Sequence, residues 1–405
     1  MITANQALDI ILEKVSLTPP EEIKLIDSLN RILAEDVYSD FDIPDFDNSA
    51  MDGYALRFED TDKASGDNPK IFDVIDIVRA GVLPKANLTG NQAIKIMTGA
   101  MIPKGADSVV KIEDTKMIDP EGKKIQLSSQ LSKGQNIRLA GENIKKGDLV
   151  ATSGSKINSP LCGVLASLGK SRIKVFRKPK IAILVTGDEV IDIESEYSQG
   201  KLYNSNTYTL HSQTISLGAI PIDLGIVSDD YEQLKEKIQQ GLEYDLLITS
   251  GGVSMGDYDL VKPAFKDLGA LIKFHKIAIR PGKPVLFGFC KGKPFFGLPG
   301  NPVSSMVGFE NFIKPLILKM MGFKGVETTK LVEATLEEDI KTKPGLKFFI
   351  RAQTTIKDNQ FYTRTTGPQG SAILKSMLLA NSFIIIDEDA DLVKKGTKVI
   401  VKLLD

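Results

Sequence analysis

The residues best suited to chemistry lie in the run Ser250-Gly251-Gly252-Val253-Ser254-Met255-Gly256-Asp257-Tyr258-Asp259. It follows Asp245-Leu246-Leu247-Ile248-Thr249, which reads as a short buried strand, and precedes a helix predicted from about Leu260. A glycine pair at such a junction lets backbone N–H groups come close to a phosphate or another oxyanion. Acids just beyond it are placed to hold a cation over that anion. Comparable turns occur where other strands should end: Thr186-Gly187-Asp188-Glu189, Ser228-Asp229-Asp230 and Gly297-Leu298-Pro299-Gly300-Asn301-Pro302. In the last, Asn301 suits a helix N-cap and Pro302 the first helical position. A helix N-terminus with free N–H groups is therefore expected at the same rim. Several acids beside anion-cradling loops call for a hard cation. Mg²⁺ fits, because it is held by one or two carboxylates plus substrate phosphates. The expected ligand is a phosphate or diphosphate compound. The plainer reading of any single loop is a helix cap or a tight turn, since Asp and Ser favour both.

A second cluster is basic. In Lys276-Ile277-Ala278-Ile279-Arg280-Pro281-Gly282-Lys283-Pro284 the alternation predicts a strand with Lys276, Ala278 and Arg280 on one face, and a Pro-Gly turn then presents Lys283. Cations gathered at one strand end attract a dianion or polyphosphate; a solvated basic edge is the alternative. A third cluster, in the first half, holds Asp47-Asn48-Ser49-Ala50-Met51-Asp52-Gly53-Tyr54-Ala55, then Thr98-Gly99-Ala100 and Lys104-Gly105-Ala106-Asp107. Composition alone leaves these as either tight loops or a site.

The elements that must carry these loops change character along the chain. Thr3 and Gln6 predict a capping box, with Ala7, Leu8, Ile11, Leu12 and Val15 on one helical face ended by Pro19-Pro20. A short helical piece is expected around Leu29 to Ala34. From Ile71 to about Val150 short β-like runs, such as residues 71–78, 93–97 and 108–112, are punctuated by Gly and Pro, which predicts a mostly β domain. After the basic stretch from Lys170 to Lys180, strands and helices alternate. Strands are expected at residues 181–185, 220–226, 245–249, near 272–279 and at 284–289. Helices are expected through 207–217 and 231–240 and after Asn301. That alternation argues for a parallel sheet covered by helices, and ligands bind such sheets at the carboxyl ends of the strands. After Gly325 short strands return, enough for a small barrel or sandwich.

At 405 residues several domains are expected. With a net charge of −1, no global field draws nucleic acid or an anionic membrane, so anion binding must come from local Lys and Arg. Cys162 and Cys290 are the only cysteines and His211 and His275 the only histidines, too few for a disulfide framework or a Cys/His zinc site. A reducing cytoplasm is expected. No basic n-region opens the chain, and no apolar run nears the ~18 residues of a membrane span.

Taken together these segments resemble the MoeA family, the molybdenum-inserting enzymes of molybdenum cofactor synthesis, related to the E-domain of gephyrin. The matching stretches are DNSAMDGYA (47–55), MTGAMIPKGADSVV (97–110), GEN (141–143), TGDEV (186–190), TSGGVSMGDYD (249–259), RPGKP (280–284) and GLPGNPVSS (297–305), in family order over nearly the whole chain. The resemblance implies an α/β plus β fold in four parts. These are a linker domain (1–46 and 146–177), an inserted β domain (47–145), a doubly wound, mostly parallel α/β molybdopterin-binding domain (178–325) similar to the molybdopterin adenylyltransferases, and a C-terminal β-barrel domain (326–405). It implies a homodimer whose active cleft lies between the α/β domain of one subunit and the inserted domain of its mate, bringing Asp52 and Thr98 to the acids of the sheet rim.

The reaction implied takes adenylylated molybdopterin and molybdate, with Mg²⁺, and yields molybdenum cofactor and AMP. In that scheme Glu189, Asp229 and Asp259 serve metal and diphosphate, while Gly251, Gly252 and Ser254, with Pro299 and Pro302, belong to the phosphate cradle. Lys276, Arg280, Lys283, Arg351 and Ser371 match positions linked to oxyanion binding. The upstream adenylyltransferase and acceptor molybdoenzymes are possible partners. The chain departs from the family pattern at Asn143, where GED is usual, and at Asn204, where DSN is usual. Arg280 replaces a frequent Lys. Two competing readings are an adenylyltransferase-like nucleotidyl transferase and a non-catalytic scaffold of the E-domain type.

Overall fold

The computed structural model describes residues 1–253, 260–325 and 330–404. The chain divides into two units. Met1–Glu35, Ser153–Ser159 and Arg172–Asp405 make the first, and Asp36–Thr152 with Pro160–Ser171 make the second.

The first unit is built on a six-stranded sheet in the order Ile220–Val227, Lys180–Thr186, Leu246–Ser250, Lys293–Leu298, Leu286–Cys290, Leu271–Phe274. The first four strands run parallel and the last two join antiparallel. Its central strands are apolar at consecutive positions because both faces are covered. Ile181, Ile183, Leu246 and Ile248 enter one core, with Leu210, Val303 and Leu316 from covering helices. Ala182, Leu184 and Leu247 enter the other, beneath Leu234, Ile238, Val261 and Phe265. The helices Asn206–Ser216, Pro302–Gly308 and Lys314–Met320 therefore lie on one face, and Tyr231–Gly241 and Val261–Asp267 on the other. The sheet is doubly wound. Lys180–Thr186 exits over one face and its neighbour Leu246–Ser250 over the other, which opens a crevice between their carboxyl ends.

The N-terminal helix Ala4–Glu13 closes the first of these cores through Ala7 and Ile11. Its capping box forms as the sequence predicts, with Gln6 N–H donating to Thr3 Oγ1 at 3.2 Å and Thr3 N–H to Gln6 Oε1 at 3.0 Å. The expected helix at Leu29–Ala34 is absent. Ile32 and Leu33 instead make β-bridges to Lys156 and Val175, because pairing with those segments buries both side chains. The predicted strand through Lys276 is also cut short. Only Ile279–Arg280 is strand, and Ile277 N–H turns back to the Lys283 carbonyl. Ala278 is buried and Arg280 exposed, so the two do not share a face.

The C-terminal strands close a five-membered ring: Lys347–Lys357, Gln360–Thr365, Lys330–Leu336, Lys398–Leu403 and Ser382–Ile386, which pairs again with Lys347–Lys357. Phe348, Ile350 and Ala352 fill its interior. The alternate residues Phe349 and Arg351 point out of the barrel, and Phe349 enters the core of the α/β sheet. Strand periodicity thus welds barrel to sheet and turns Arg351 toward the loop that follows Gln369.

The second unit holds a separate six-stranded sheet in the order Ser108–Lys111, Gly53–Leu56, Gln92–Ile96, Lys70–Val78, Lys124–Leu127, Thr115–Met117. Tyr54 and Leu56 pack on one side with Phe72 and Ile125, and Ala55 on the other with Ile94 and Val109. Gly53 lets this sheet close, since a Cβ there would sit 1.8 Å from the Val110 carbonyl oxygen. Gly53→Ala is expected to unfold the second unit, read as loss of its cooperative transition in urea. Phe296→Ala, at a fully buried site in the first unit, is expected to cost about 3–5 kcal/mol in the same measurement.

Candidate active site

The crevice at the switch point of the parallel sheet is a cleft of about 750 Å³. Its floor is made by close backbone approach. Gly251 has φ +103°, and a Cβ there would lie 2.3 Å from the Thr186 carbonyl oxygen. Gly252 has φ +58°, and its Cβ would lie 2.9 Å from Val261 Cγ2. Both positions demand glycine for conformation as well as for space. Gly251 N–H donates to the Leu298 carbonyl at 3.0 Å, so it is not a phosphate donor as the sequence suggests. Gly252 N–H has no backbone partner among the described residues.

Two buried oxygens on this floor lack partners among the described residues: Thr186 Oγ1 and Asn206 Oδ1. The Asn206 amide cannot turn to hide its oxygen. Its nitrogen donates to Ser250 Oγ and to the Gly300 carbonyl, both at 2.8 Å. An unsatisfied buried polar atom is costly, so a floor with two of them is built for a ligand that offers hydrogen bonds. Sequence reading passed over both residues. The signal was present in Tyr203-Asn204-Ser205-Asn206, but only Asn204 was weighed.

The rim carries the acids. Glu189 and Asp229 both line the cleft. Glu189 folds back over Gly187, where a Cβ would meet its Oε2 at 2.6 Å. Asp229 is placed by its backbone N–H, which donates to Asp188 Oδ1 at 3.0 Å. Asp259, with Ser254 and Asp257, lies outside the described residues. Asn204 lines the cleft too, but its amide is used within the fold. It is buried, accepting from Thr207 N–H at 3.1 Å and donating to Thr207 Oγ1 at 2.9 Å, so it fastens the start of the Asn206–Ser216 helix.

Asn301 is the N-cap of Pro302–Gly308 and Pro302 its first residue, as the sequence predicts, though no side-chain cap bond forms. The expected free N–H groups are fewer than supposed, because Val303 N–H donates to the Ser371 carbonyl at 3.2 Å. Pro302 lines the cleft, while Pro299 is buried beneath it and accepts from Ser250 Oγ at 3.3 Å.

A second cavity, about 380 Å³, lies on the barrel. Arg280, Lys341, Lys343 and Arg351 line it and no acid does. Arg351 is 1% exposed, and its guanidinium donates only to neutral oxygens: Ser376 Oγ at 3.1 Å and the Gly370 carbonyl at 3.0 Å. Burial without a carboxylate pushes its pKa down to about 10. Such a cation is expensive to bury unless an anion joins it. Lys341 and Lys343 were not singled out in the sequence, where they read as surface lysines. Lys276 and Lys283 do not line this cavity. Lys283 is exposed, and its carbonyl holds the turn by accepting from Ile277 and Val285.

Three consecutive residues join the two hollows. Gly370 lines the basic cavity, the Ser371 carbonyl grips Val303, and Ala372 lines the acidic cleft. In the second unit, Asp52 and Thr98 meet directly. Thr98 N–H and Oγ1 both donate to Asp52 Oδ1 at 2.7 Å. The backbone donor first, then the hydroxyl, holds the Asp52 carboxyl below its usual value.

A doubly wound sheet open at its switch point, joined to a closed five-stranded barrel that carries a basic cavity, defines a multidomain protein of the α/β plus β class. Over residues 2–169 the chain matches the MoeA N-terminal region (domain I and II), over 182–319 a "Probable molybdopterin binding domain", and over 333–404 the MoeA C-terminal region (domain IV). It is 36% identical over 386 residues to the molybdopterin molybdenumtransferase of Bacillus subtilis (strain 168), a match spanning 95% of this chain and 90% of that one. To the molybdopterin molybdenumtransferase of Staphylococcus aureus (strain N315) it is 35% identical over 408 residues, 100% of this chain and 96% of that one. The crystal structure of the molybdopterin biosynthesis MoeA protein from Pyrococcus horikoshii OT3 superposes with a TM-score of 0.84 at 32% identity, covering 100% of both chains. The chain belongs to the MoeA family.

Because the backbone donor dominates at Asp52, Thr98→Val is expected to raise its carboxyl pKa only part of the way back to 3.8, as followed by carboxyl carbon NMR. The sign is that of a depressed acid. The stabilisation is present above the unfolded value and is lost as pH falls through the folded one.

Proposed function

We propose that this protein is a molybdenum insertase of molybdenum cofactor biosynthesis, a transferase that places molybdate into adenylylated molybdopterin and releases AMP. The observation that carries the reading is the junction at Gly370–Ala372. There an acid-rimmed cleft suited to a phosphoanhydride adjoins an acid-free basic cavity suited to a tetrahedral dianion. Family membership and the activity for which the relatives are named point the same way.

Magnesium fits the cleft. It is ordinarily held by one or two carboxylates together with phosphate oxygens and water, not by an all-protein cage. Glu189 and Asp229 supply such carboxylates, and the Thr186 hydroxyl beside them lacks a partner. When bound, Mg²⁺ would neutralise charge on the diphosphate.

The chain's own groups do the rest. Gly252 N–H approaches a phosphate oxygen, Asn206 Oδ1 accepts from a substrate hydroxyl or a bound water, and Arg351 with Arg280 receives the oxometalate. Phosphoryl cleavage depends on positioning and charge neutralisation more than on a strong nucleophile. Asp52, kept charged by Thr98, acts from a partner subunit in a homodimer. Its exposed carboxylate is what supports that role.

Within this reading the chain has four parts: residues 1–46 with 146–177, 47–145, 178–325 and 326–405. The antiparallel pairing of Pro20–Lys24 with Arg172–Phe176 supports joining the first two segments. A cytoplasmic setting agrees with the reducing chemistry expected for two cysteines outside any disulfide.

Purified protein given adenylylated molybdopterin, molybdate and Mg²⁺ is expected to release AMP in step with molybdenum cofactor. AMP release with no molybdenum incorporated defeats the proposal. Glu189→Ala is expected to abolish the reaction without unfolding, because Glu189 is exposed. Molybdate should raise the melting temperature of the wild type by ligand linkage and leave Arg351→Met unmoved. Equal shifts in both proteins would place the oxyanion elsewhere.

A further inference from the structure

Between Glu189 and Asn204 the chain makes a small flap at the mouth of the acidic cleft. Val190–Ile191 and Leu202–Tyr203 pair in parallel, and Leu202 N–H donates to the Glu189 carbonyl at 2.8 Å. Asn204 N–H donates to the Ile191 carbonyl at 2.9 Å, and the Asn204 side chain anchors the next helix. The flap is therefore tied at one end to a rim carboxylate and at the other to the helix that carries Asn206.

What this flap presents is apolar. Leu202 is 65% exposed and Tyr203 45%, and both line the cleft. Leaving a leucine and a tyrosine ring in water beside a polar phosphate cradle has no folding rationale. Neither enters a hydrophobic core among the described residues. Tyr203 is nevertheless held. Its hydroxyl donates to the Ser195 carbonyl at 3.3 Å, and its ring stands 6.0 Å from that of Tyr197 in a tilted pair. A positioned aromatic face within one strand rung of Glu189 is a stacking platform.

We infer that Tyr203 is a substrate-positioning residue whose ring, with Leu202 beside it, stacks on a planar nitrogen heterocycle carried by the phosphate ester in the cleft. This rests on the phosphate-ester reading above and adds the ring subsite to it. Adenine and pterin share the required chemistry. Asn206 Oδ1, fixed as an acceptor, lies on the floor beneath the same mouth and would receive a hydroxyl or amino donor from the same molecule.

The chain contains no tryptophan, so Tyr203→Trp installs a single indole reporter at the platform. With Mg²⁺ present, titration with AMP or with 6-hydroxymethylpterin phosphate is expected to quench that indole, while ribose 5-phosphate does not. By calorimetry on the full-length protein, Tyr203→Ala should weaken the ring-bearing ligand roughly tenfold or more, the scale of one lost base–aromatic stack. Tyr203→Phe should stay within about twofold of wild type, and ribose 5-phosphate should bind all three alike. Whichever ring compound shows this pattern is the occupant. If AMP and the pterin phosphate both bind wild type and Tyr203→Ala equally, the stacking assignment is wrong while the phosphate-ester reading stands. If wild type binds neither these compounds nor ribose 5-phosphate, both fall together.

Discussion

The site depends on one steric fact. Gly251 lies so close to the Thr186 backbone that a single methyl group would collide with its carbonyl oxygen at 2.3 Å. That closeness brings the carboxyl ends of two adjacent parallel strands together at the point where their connections part to opposite faces. From it follow the placement of Thr186 Oγ1 over the glycine turn and the bond from Gly251 N–H to Leu298. The bridge of Asn206 to Ser250 and Gly300 depends on the same packing. The same floor leaves one backbone N–H, one hydroxyl and one amide oxygen without a partner among the described residues.

A second constraint is strand alternation in Lys347–Lys357. Because side chains point alternately, a strand that fills the barrel with Phe348, Ile350 and Ala352 must send Phe349 and Arg351 outward. Phe349 is absorbed by the core of the α/β sheet. Arg351 is buried in the same movement, facing a loop that offers only neutral oxygens. The barrel thus both docks on the sheet and carries an under-compensated cation next to it. A one-residue slip in register would lose both at once.

The two asparagines that depart from the family pattern have different physical standing. Asn204 is buried and uses both ends of its amide on Thr207, so it has become part of the helix start. A carboxylate there could accept from the same backbone N–H and from the Thr207 hydroxyl. Asn143 is exposed, and its backbone N–H pairs with the Ile43 carbonyl. Nothing in the structure explains the choice of its side chain.

Much of the fold was legible in the chain. The parallel sheet was legible in the alternation of strands and helices, and its doubly wound order came only with the family resemblance, whereas the capping box at Thr3 and the helices at Asn206–Ser216 and Tyr231–Gly241 follow from local periodicity and turn chemistry. These act over a few residues and need no partner. The helix expected at Leu29–Ala34 failed because distant segments offered Ile32 and Leu33 a more buried pairing. The strand expected through Lys276–Arg280 failed because the Lys283 carbonyl captured Ile277. Glu189, Asp229 and Gly252 could be named from residue type and motif, since charge and glycine are visible in a sequence, while Arg351 was named only through the family resemblance. Tertiary structure alone decided which donors and acceptors remain free. It tied Gly251 N–H to Leu298, left the buried Asn206 Oδ1 without a partner among the described residues, gathered Lys341 and Lys343 with Arg351 around one cavity, and set Tyr203 at the mouth. A hydrogen bond made elsewhere in the fold is what spends or spares each of these atoms, and no residue carries that information by itself.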